Sequence, residues 1–153
     1  MLSFAALFHV QDPPTGARMP LLSWNDDHAV GVPAMDDEHK RLYQAINELY
    51  AAVLEGEERG VTAHLLRQVV HCTRQHFSSE EGILAASHYP ELPEHSVQHQ
   101  QLLAQVEELL GRHEQDGLTL TSKSLSFLRY WFNAHIHEDD QLYGAWLDAH
   151  EVA

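Results

Sequence analysis

The sequence predicts an all-α protein, an antiparallel up-down-up-down four-helix bundle, and three observations predict it. No stretch shows the two-residue alternation of a strand. Four amphipathic segments appear instead, with apolar residues recurring every three or four positions. The breakers between them are short, and short connections make successive helices antiparallel. The length, 153 residues, suits one domain with one core.

The chain opens on MLSFAALFHV, which is mildly apolar but has no basic residue and is interrupted by His9. It does not read as a signal peptide. QDPPTGARMP, residues 11–20, reads as a linker. Residues 1–20 are therefore expected to be a flexible N-terminal extension, and 21–153 the bundle domain. Residues 1–18 read as dispensable, with Met19 opening the structured sequence.

The first segment, MDDEHKRLYQAINELYAAVLEG, can be capped by Asp36 or Asp37 and ended by Gly56. Its stripe is Met35, His39, Leu42, Ile46, Leu49 and Val53, so a histidine sits on the core-facing side. The second runs over about 62–87, with the stripe Leu65, Val69, Cys72, His76, Glu80 and Ile83. Pro90 and Pro93 break the chain before the third, about 93–114, whose stripe is Leu92, His95, His99, Leu102, Val106 and Leu109. The fourth covers about 121–147, with Leu125, Leu128, Phe132, His135, Asp139, Leu142 and Trp146 in phase. Asp140 lies one step off that stripe.

The bulk numbers exclude several functions. The formal charge of −14 argues against nucleic acid, which needs a basic footprint, and against anionic membrane surfaces. No apolar run approaches the ~20 residues of a membrane span. One cysteine, Cys72, allows neither an intrachain disulfide nor a cysteine-based zinc site, and a cytoplasmic location fits it. Histidine is the outlier at 13 residues, and it is the commonest metal ligand.

Burying His39, His76, Glu80, His95, His99, His135 and an aspartate in one bundle is costly unless they are paired or bind metal. Five imidazoles and two carboxylates are too many for one ion. Two six-coordinate metals could use them, with both carboxylates and a solvent-derived oxygen as bridges. Three histidines then complete one metal, and two leave the other with an open position. Imidazole and carboxylate suit iron, with manganese an alternative. Zinc usually prefers four ligands. Trp131 and Phe132, one turn before His135, are the expected pocket walls. No spare buried acid stands ready to deliver protons, which favours reversible binding over turnover. His28, His64, His71, His88, His113, His137 and His150 lack the phase of ligands. Glu81 and Asp139 read as solvated, and Cys72 as a small core residue.

The pattern resembles the hemerythrins, in particular the bacterial single-domain ones. The matching pieces are Trp24 with VGV at 30–32, MDDEH ending at His39, and HFSSEE at 76–81. YPELPEHSVQH at 89–99 and YWFNAHIHEDDQLY at 130–143 complete the set. The resemblance implies two non-heme irons with an oxo or hydroxo bridge. His39 and His76 would hold the open iron, His95, His99 and His135 the filled one, and Glu80 and Asp140 would bridge. Periodicity alone prefers Asp139, about 40° around the helix from His135 against about 140° for Asp140. A wide turn would swing Asp140 inward. Tyr143 matches a family tyrosine, as a hydrogen-bond donor to a bridge or as core packing. Phe132 stands where the family usually has a leucine, which bears on oxygen affinity and autoxidation.

The function this implies is reversible O2 binding by a carrier, store or buffer rather than an enzyme. The chain is expected to be a monomer, delivering O2 to an oxygen-consuming partner enzyme. One alternative is a di-iron redox enzyme acting on nitric oxide or peroxide; the chain has no Glu-x-x-His, which weighs against ferroxidase chemistry. Another is an oxygen sensor working through a separate partner, since no output domain follows the fourth helix.

Overall fold

The computed structural model describes residues 20–150. All of the expected N-terminal extension except Pro20 lies outside the described residues. An arm over 20–32, with a short 3-10 turn at Asp26–His28, leads into α1, Pro33–Leu54. Then come α2, Arg59–Ala86, α3, Leu92–Gln115, and α4, Ser122–Ala134. A π-helical turn, His135–Asp139, joins α4 to α5, Asp140–Ala149. α4, the π turn and α5 together make the fourth arm of the four-helix bundle. Among the described residues no helix is long and apolar enough to cross a membrane.

The local chemistry explains most of the boundaries. α1 starts at Pro33, where a missing N–H costs nothing. Neither Asp36 nor Asp37 caps it; Asp36 instead accepts from the Val30 N–H at 2.8 Å, pinning the arm to the helix. Beyond the end of α1, Gly56 takes φ 71°, a left-handed conformation that favours glycine. Thr121 and Ser124 cap α4 reciprocally.

The expected stripes of α1 and α3 match the buried residues closely. In α2 the apolar face is turned slightly: Leu66, Val70, Phe77 and Leu84 are buried, while Leu65, Cys72 and Ile83 are half-buried. The fourth arm departs more. Leu125, Leu128, Phe132 and His135 are buried as expected, but beyond them the buried residues are Asp140, Tyr143, Gly144 and Leu147. Leu142, expected inside, is 65% exposed. The π turn is the reason. The Asp140 N–H bonds back to the His135 carbonyl, five residues earlier, so one extra residue is accommodated and everything after it shifts phase by one.

The core is divided in two. A larger apolar cluster holds Leu42, Ile46, Leu66, Val69, Leu102, Val106, Leu125, Leu128 and Phe132. A smaller one holds Val30, Val32, Met35, Leu84, Tyr89, Tyr143 and Leu147. Along each bundle arm the histidines and carboxylates fall between residues of the two clusters or at their border.

The arm is strapped to the bundle. Asn47 accepts from the Leu22 N–H at 2.8 Å and donates to its carbonyl at 2.7 Å. The Gln141 amide donates to the Ala29 carbonyl at 2.9 Å. Gly144 lets α5 approach the arm; a Cβ there would stand 2.4 Å from the Val30 carbonyl oxygen. Backbone cannot yield as a side chain can. Gly144→Ala is therefore expected to destabilise the protein by about 1–3 kcal/mol, through overpacking, as read by urea denaturation.

Candidate metal centre

The polar layer between the two cores contains every expected ligand. His39 comes from α1, His76 and Glu80 from α2, and His95 and His99 from α3. His135 opens the π turn, and Asp140 follows it. All seven are at most 4% exposed. Their ligand atoms form two overlapping groups, with atoms in each group within 4.8 Å of one another: His39, His76, Glu80 and Asp140, and Glu80, His95, His99, His135 and Asp140.

The two carboxylates belong to both groups, and each divides its oxygens between them. Glu80 Oε2 faces His39 Nε2 at 3.4 Å and His76 Nε2 at 3.1 Å. Its Oε1 faces His95 Nε2 at 2.6 Å and His99 Nε2 at 3.1 Å. Asp140 Oδ2 lies 3.1 Å from His39 Nε2, while its Oδ1 lies 3.2 Å from His95 Nε2 and 3.1 Å from His135 Nε2. Two imidazoles therefore stand on one side of the carboxylate pair and three on the other.

The donor set fits metal ions. His39 Nε2, His76 Nε2 and both Asp140 oxygens are buried without a hydrogen-bond partner, although oppositely charged atoms lie close by. They have the distance of a hydrogen bond without its alignment, as expected for lone pairs directed at a third atom. His99 Nε2 and His135 Nε2, 3.0 Å apart, present the same convergence of nitrogens. Buried polar atoms without partners are costly, and cations between the two groups would satisfy them.

A profile of the hemerythrin HHE cation-binding domain matches residues 30–147. The chain belongs to the hemerythrin family. It is similar to the bacteriohemerythrin of Stenotrophomonas maltophilia (strain R551-3), 30% identical over 132 residues, covering 86% of this chain and 85% of the relative. It is also similar to that of Methylococcus capsulatus (strain Bath), 26% identical over 132 residues, covering 86% of this chain and all of the relative. A crystal structure of wild-type hemerythrin superposes with a TM-score of 0.78 at 25% identity, covering 82% of this chain and 96% of the other.

Around the hemerythrin cluster, carboxylates stand behind three of the imidazoles. Glu38 lies 2.7 Å from His76 Nδ1. Glu81 accepts from Ser96 and stands 3.4 Å from His99 Nδ1, and Asp139 stands 3.5 Å from His135 Nδ1. The Glu38 contact is a hydrogen bond, which fixes the His76 ring and raises its basicity. His99 Nδ1 and His135 Nδ1 have no hydrogen-bond partner, and Glu81 and Asp139 stand near them as charges. The reading of Glu81 and Asp139 as simply solvated is corrected here: each side chain is only about a third exposed, at 32% and 34%. Part of the sequence signal was present, since each adjoins a site carboxylate and Asp139 lies four residues after His135. Tyr143 both packs in the core and donates its hydroxyl to Glu80 Oε2 at 2.9 Å.

Of the two expected pocket walls, Trp131 is half-buried with its ring 5.0 Å from that of His135. Phe132 is 1% exposed in the larger core, with Trp131 as its ring neighbour at 6.3 Å. Phe77, which the sequence reading passed over, stacks on His99 at 3.7 Å with its plane only 4° away. It stands three residues before Glu80, so helical spacing could have found it. His28 and His113, outside the ligand groups, are nonetheless buried. His28 accepts from the Asn25 N–H, and His113 pairs with Thr62 Oγ1 at 2.9 Å.

The metal-free cluster titrates unusually. Burial pushes His39 and His95 down, but Asp140 and Glu80 outweigh it and raise both to about 9. His135 rises to about 10, with burial again opposed mainly by Asp140. Burial pushes both carboxylates up, and the surrounding histidines overcome it and hold them far below the usual range. A histidine raised above its unfolded value, about 6.5, stabilises the fold below that pH and loses this as pH rises through the folded pKa. A depressed carboxylate does the reverse, stabilising above its unfolded pKa of about 4 and failing in acid. The metal-free chain is thus expected to be most stable between about pH 4.5 and 6.5 and to weaken towards pH 10. Metal uptake at neutral pH is expected to release protons, because ligating imidazoles must be neutral. Denaturation against pH and an indicator dye in weak buffer check the two.

Proposed function

We propose that this chain binds O2 reversibly at a pair of non-heme irons. The observation that carries the reading is the division of Glu80 and Asp140 between two imidazoles on one side and three on the other. His39 and His76 would hold the iron with the open position, and His95, His99 and His135 the filled one. Glu80 and Asp140 would bridge them. The irons supply the electrons that reversible O2 binding requires, and imidazole and carboxylate donors suit them. Membership of a family whose members generally bind O2 at a di-iron site supports the reading.

The protein's own part is to hold, orient and exclude. Glu38 orients His76, Glu81 and Asp139 place negative charge behind His99 and His135, and the Tyr143 hydroxyl fixes Glu80. The two apolar clusters keep bulk water from the polar layer. A small surface pocket of about 70 Å³ touches His76 and is lined by Glu38, Arg41, Cys72 and Gln75.

The test is an absorption spectrum of ferrous-loaded protein under anaerobic conditions, after air, and after removing oxygen again. A visible charge-transfer band that appears with air and fades on deoxygenation is the expected result. A band that forms once and does not reverse would replace O2 binding with one-way oxidation.

A further inference from the structure

All three tryptophans of the sequence are half-buried and connect towards the site. Trp131 meets His135 directly. Trp146 reaches it through Tyr89 and Tyr143, with ring separations of 5.5 and 6.4 Å, and Tyr143 lies 5.5 Å from His95. Trp24 stands 6.4 Å from His39, on the side with only two imidazoles. It differs from the others in what lies in front of it. A cleft of about 490 Å³ is lined by Trp24, Tyr43, Tyr50 and Leu22, with Lys40 and Glu48 as its charged residues. That volume lies in the range of small-molecule sites, roughly 300–1,000 Å³. The Lys40 ammonium sits over the face of the Trp24 ring, 5.5 Å from its centre. In a chain of net charge −14, which repels anions in general, this is a local cation beside an aromatic wall.

An oxygen-binding metal pair that loses its electrons to autoxidation stays inactive until reduced. We propose that Trp24 and its cleft form the port for that re-reduction, taking an anionic, planar aromatic reductant of the dihydroflavin class. This rests on the di-iron reading above. The flavin ring takes the place of the flexible Lys40 side chain on the aromatic wall, and its phosphate meets the displaced ammonium. Each encounter passes one electron through the Trp24 ring towards His39: the flavin is oxidised by one electron and one ferric ion is reduced. Two transfers restore the ferrous pair, and the protons lost by the flavin go to solvent. Trp24 itself is unchanged.

Two measurements test this on the diferric protein. Equilibrium dialysis with flavin mononucleotide is expected to show saturable binding, and Lys40→Glu to weaken it by about tenfold, the equivalent of 1.4 kcal/mol. Stopped-flow reduction by reduced flavin mononucleotide is expected to slow several-fold in Trp24→Phe, with iron content and the O2 difference spectrum unchanged. Absence of saturable binding overturns the proposal, as does binding that appears only after residues 1–19 are deleted, since the cleft would then belong to the chain's own N-terminus. Equal reduction rates in parent and Trp24→Phe, or slowing in Trp131→Phe alone, overturn it too. A failure of the di-iron reading looks different: neither parent nor variant would hold reducible iron.

Discussion

Glu80→Ala is expected to cost the protein both of its metal ions. Glu80 is the residue whose two oxygens each face a pair of imidazoles, His39 with His76 and His95 with His99. In the proposed pair, removing it would take a donor from each metal and one of the two carboxylates that would link them. The metal-free fold suffers as well, because the histidines around Glu80 lose the negative charge that raises His39 and His95. Truncating one partner of a buried ionic network costs about 3–5 kcal/mol. Glu80→Gln keeps the volume and the Tyr143 contact, so it is expected to lose metal with a smaller loss of stability. Elemental analysis reads the metal, and denaturant unfolding of metal-free protein reads the fold. Full occupancy in Glu80→Ala would remove Glu80 as a bridge.

The second large effect separates two neighbouring aspartates. Asp140→Asn is expected to abolish binding of the metal pair, whereas Asp139→Asn is expected to keep both metals with reduced affinity. Asp140 is fully buried and reaches both ligand groups, while Asp139 touches only the outer nitrogen of His135. Losing an outer-shell partner typically costs about 10–100-fold in metal affinity. Metal loss confined to Asp139→Asn would reverse the assignment. A deletion makes the same point through the backbone. Removing His137, an exposed residue inside the π turn, leaves Asp140 four residues after His135. A regular α-helix then carries Asp140 on the His135 face, so this variant is expected to keep its metals. Far-ultraviolet circular dichroism and metal content check it together.

Both experiments turn on the part of the molecule that periodicity misplaced. Counting at 3.6 residues per turn, the fourth segment buries Asp139, Leu142 and Trp146. The structure buries Asp140, Tyr143 and Leu147. The second set is as apolar as the first, so the stripe alone cannot choose between them. The resemblance to hemerythrins pointed to Asp140 where residue spacing pointed to Asp139, and the π turn is the geometry that reconciles them. The carboxylates behind the imidazoles were missed for a related reason. Glu81 and Asp139 sit beside Glu80 and Asp140 in acidic runs, and an acidic run reads as a solvated surface until another helix places a histidine nitrogen against it.

What the sequence determined by itself was the class of fold and the presence of His39, His76, Glu80, His95, His99 and His135 on its inward faces. Apolar residues at helical spacing, short breakers, and histidines and Glu80 standing where the stripes call for leucine are all local information. A polar residue on an apolar face is costly enough that its place is legible without coordinates. Tertiary structure alone decided the phase beyond His135 and the division of each carboxylate between two groups of imidazoles. It also decided which half-buried carboxylates stand behind them. A π turn has no strong sequence signature of its own. It is held because His135 and Asp140 must reach the same buried cluster, a requirement set by α1, α2 and α3 rather than by the residues of the turn.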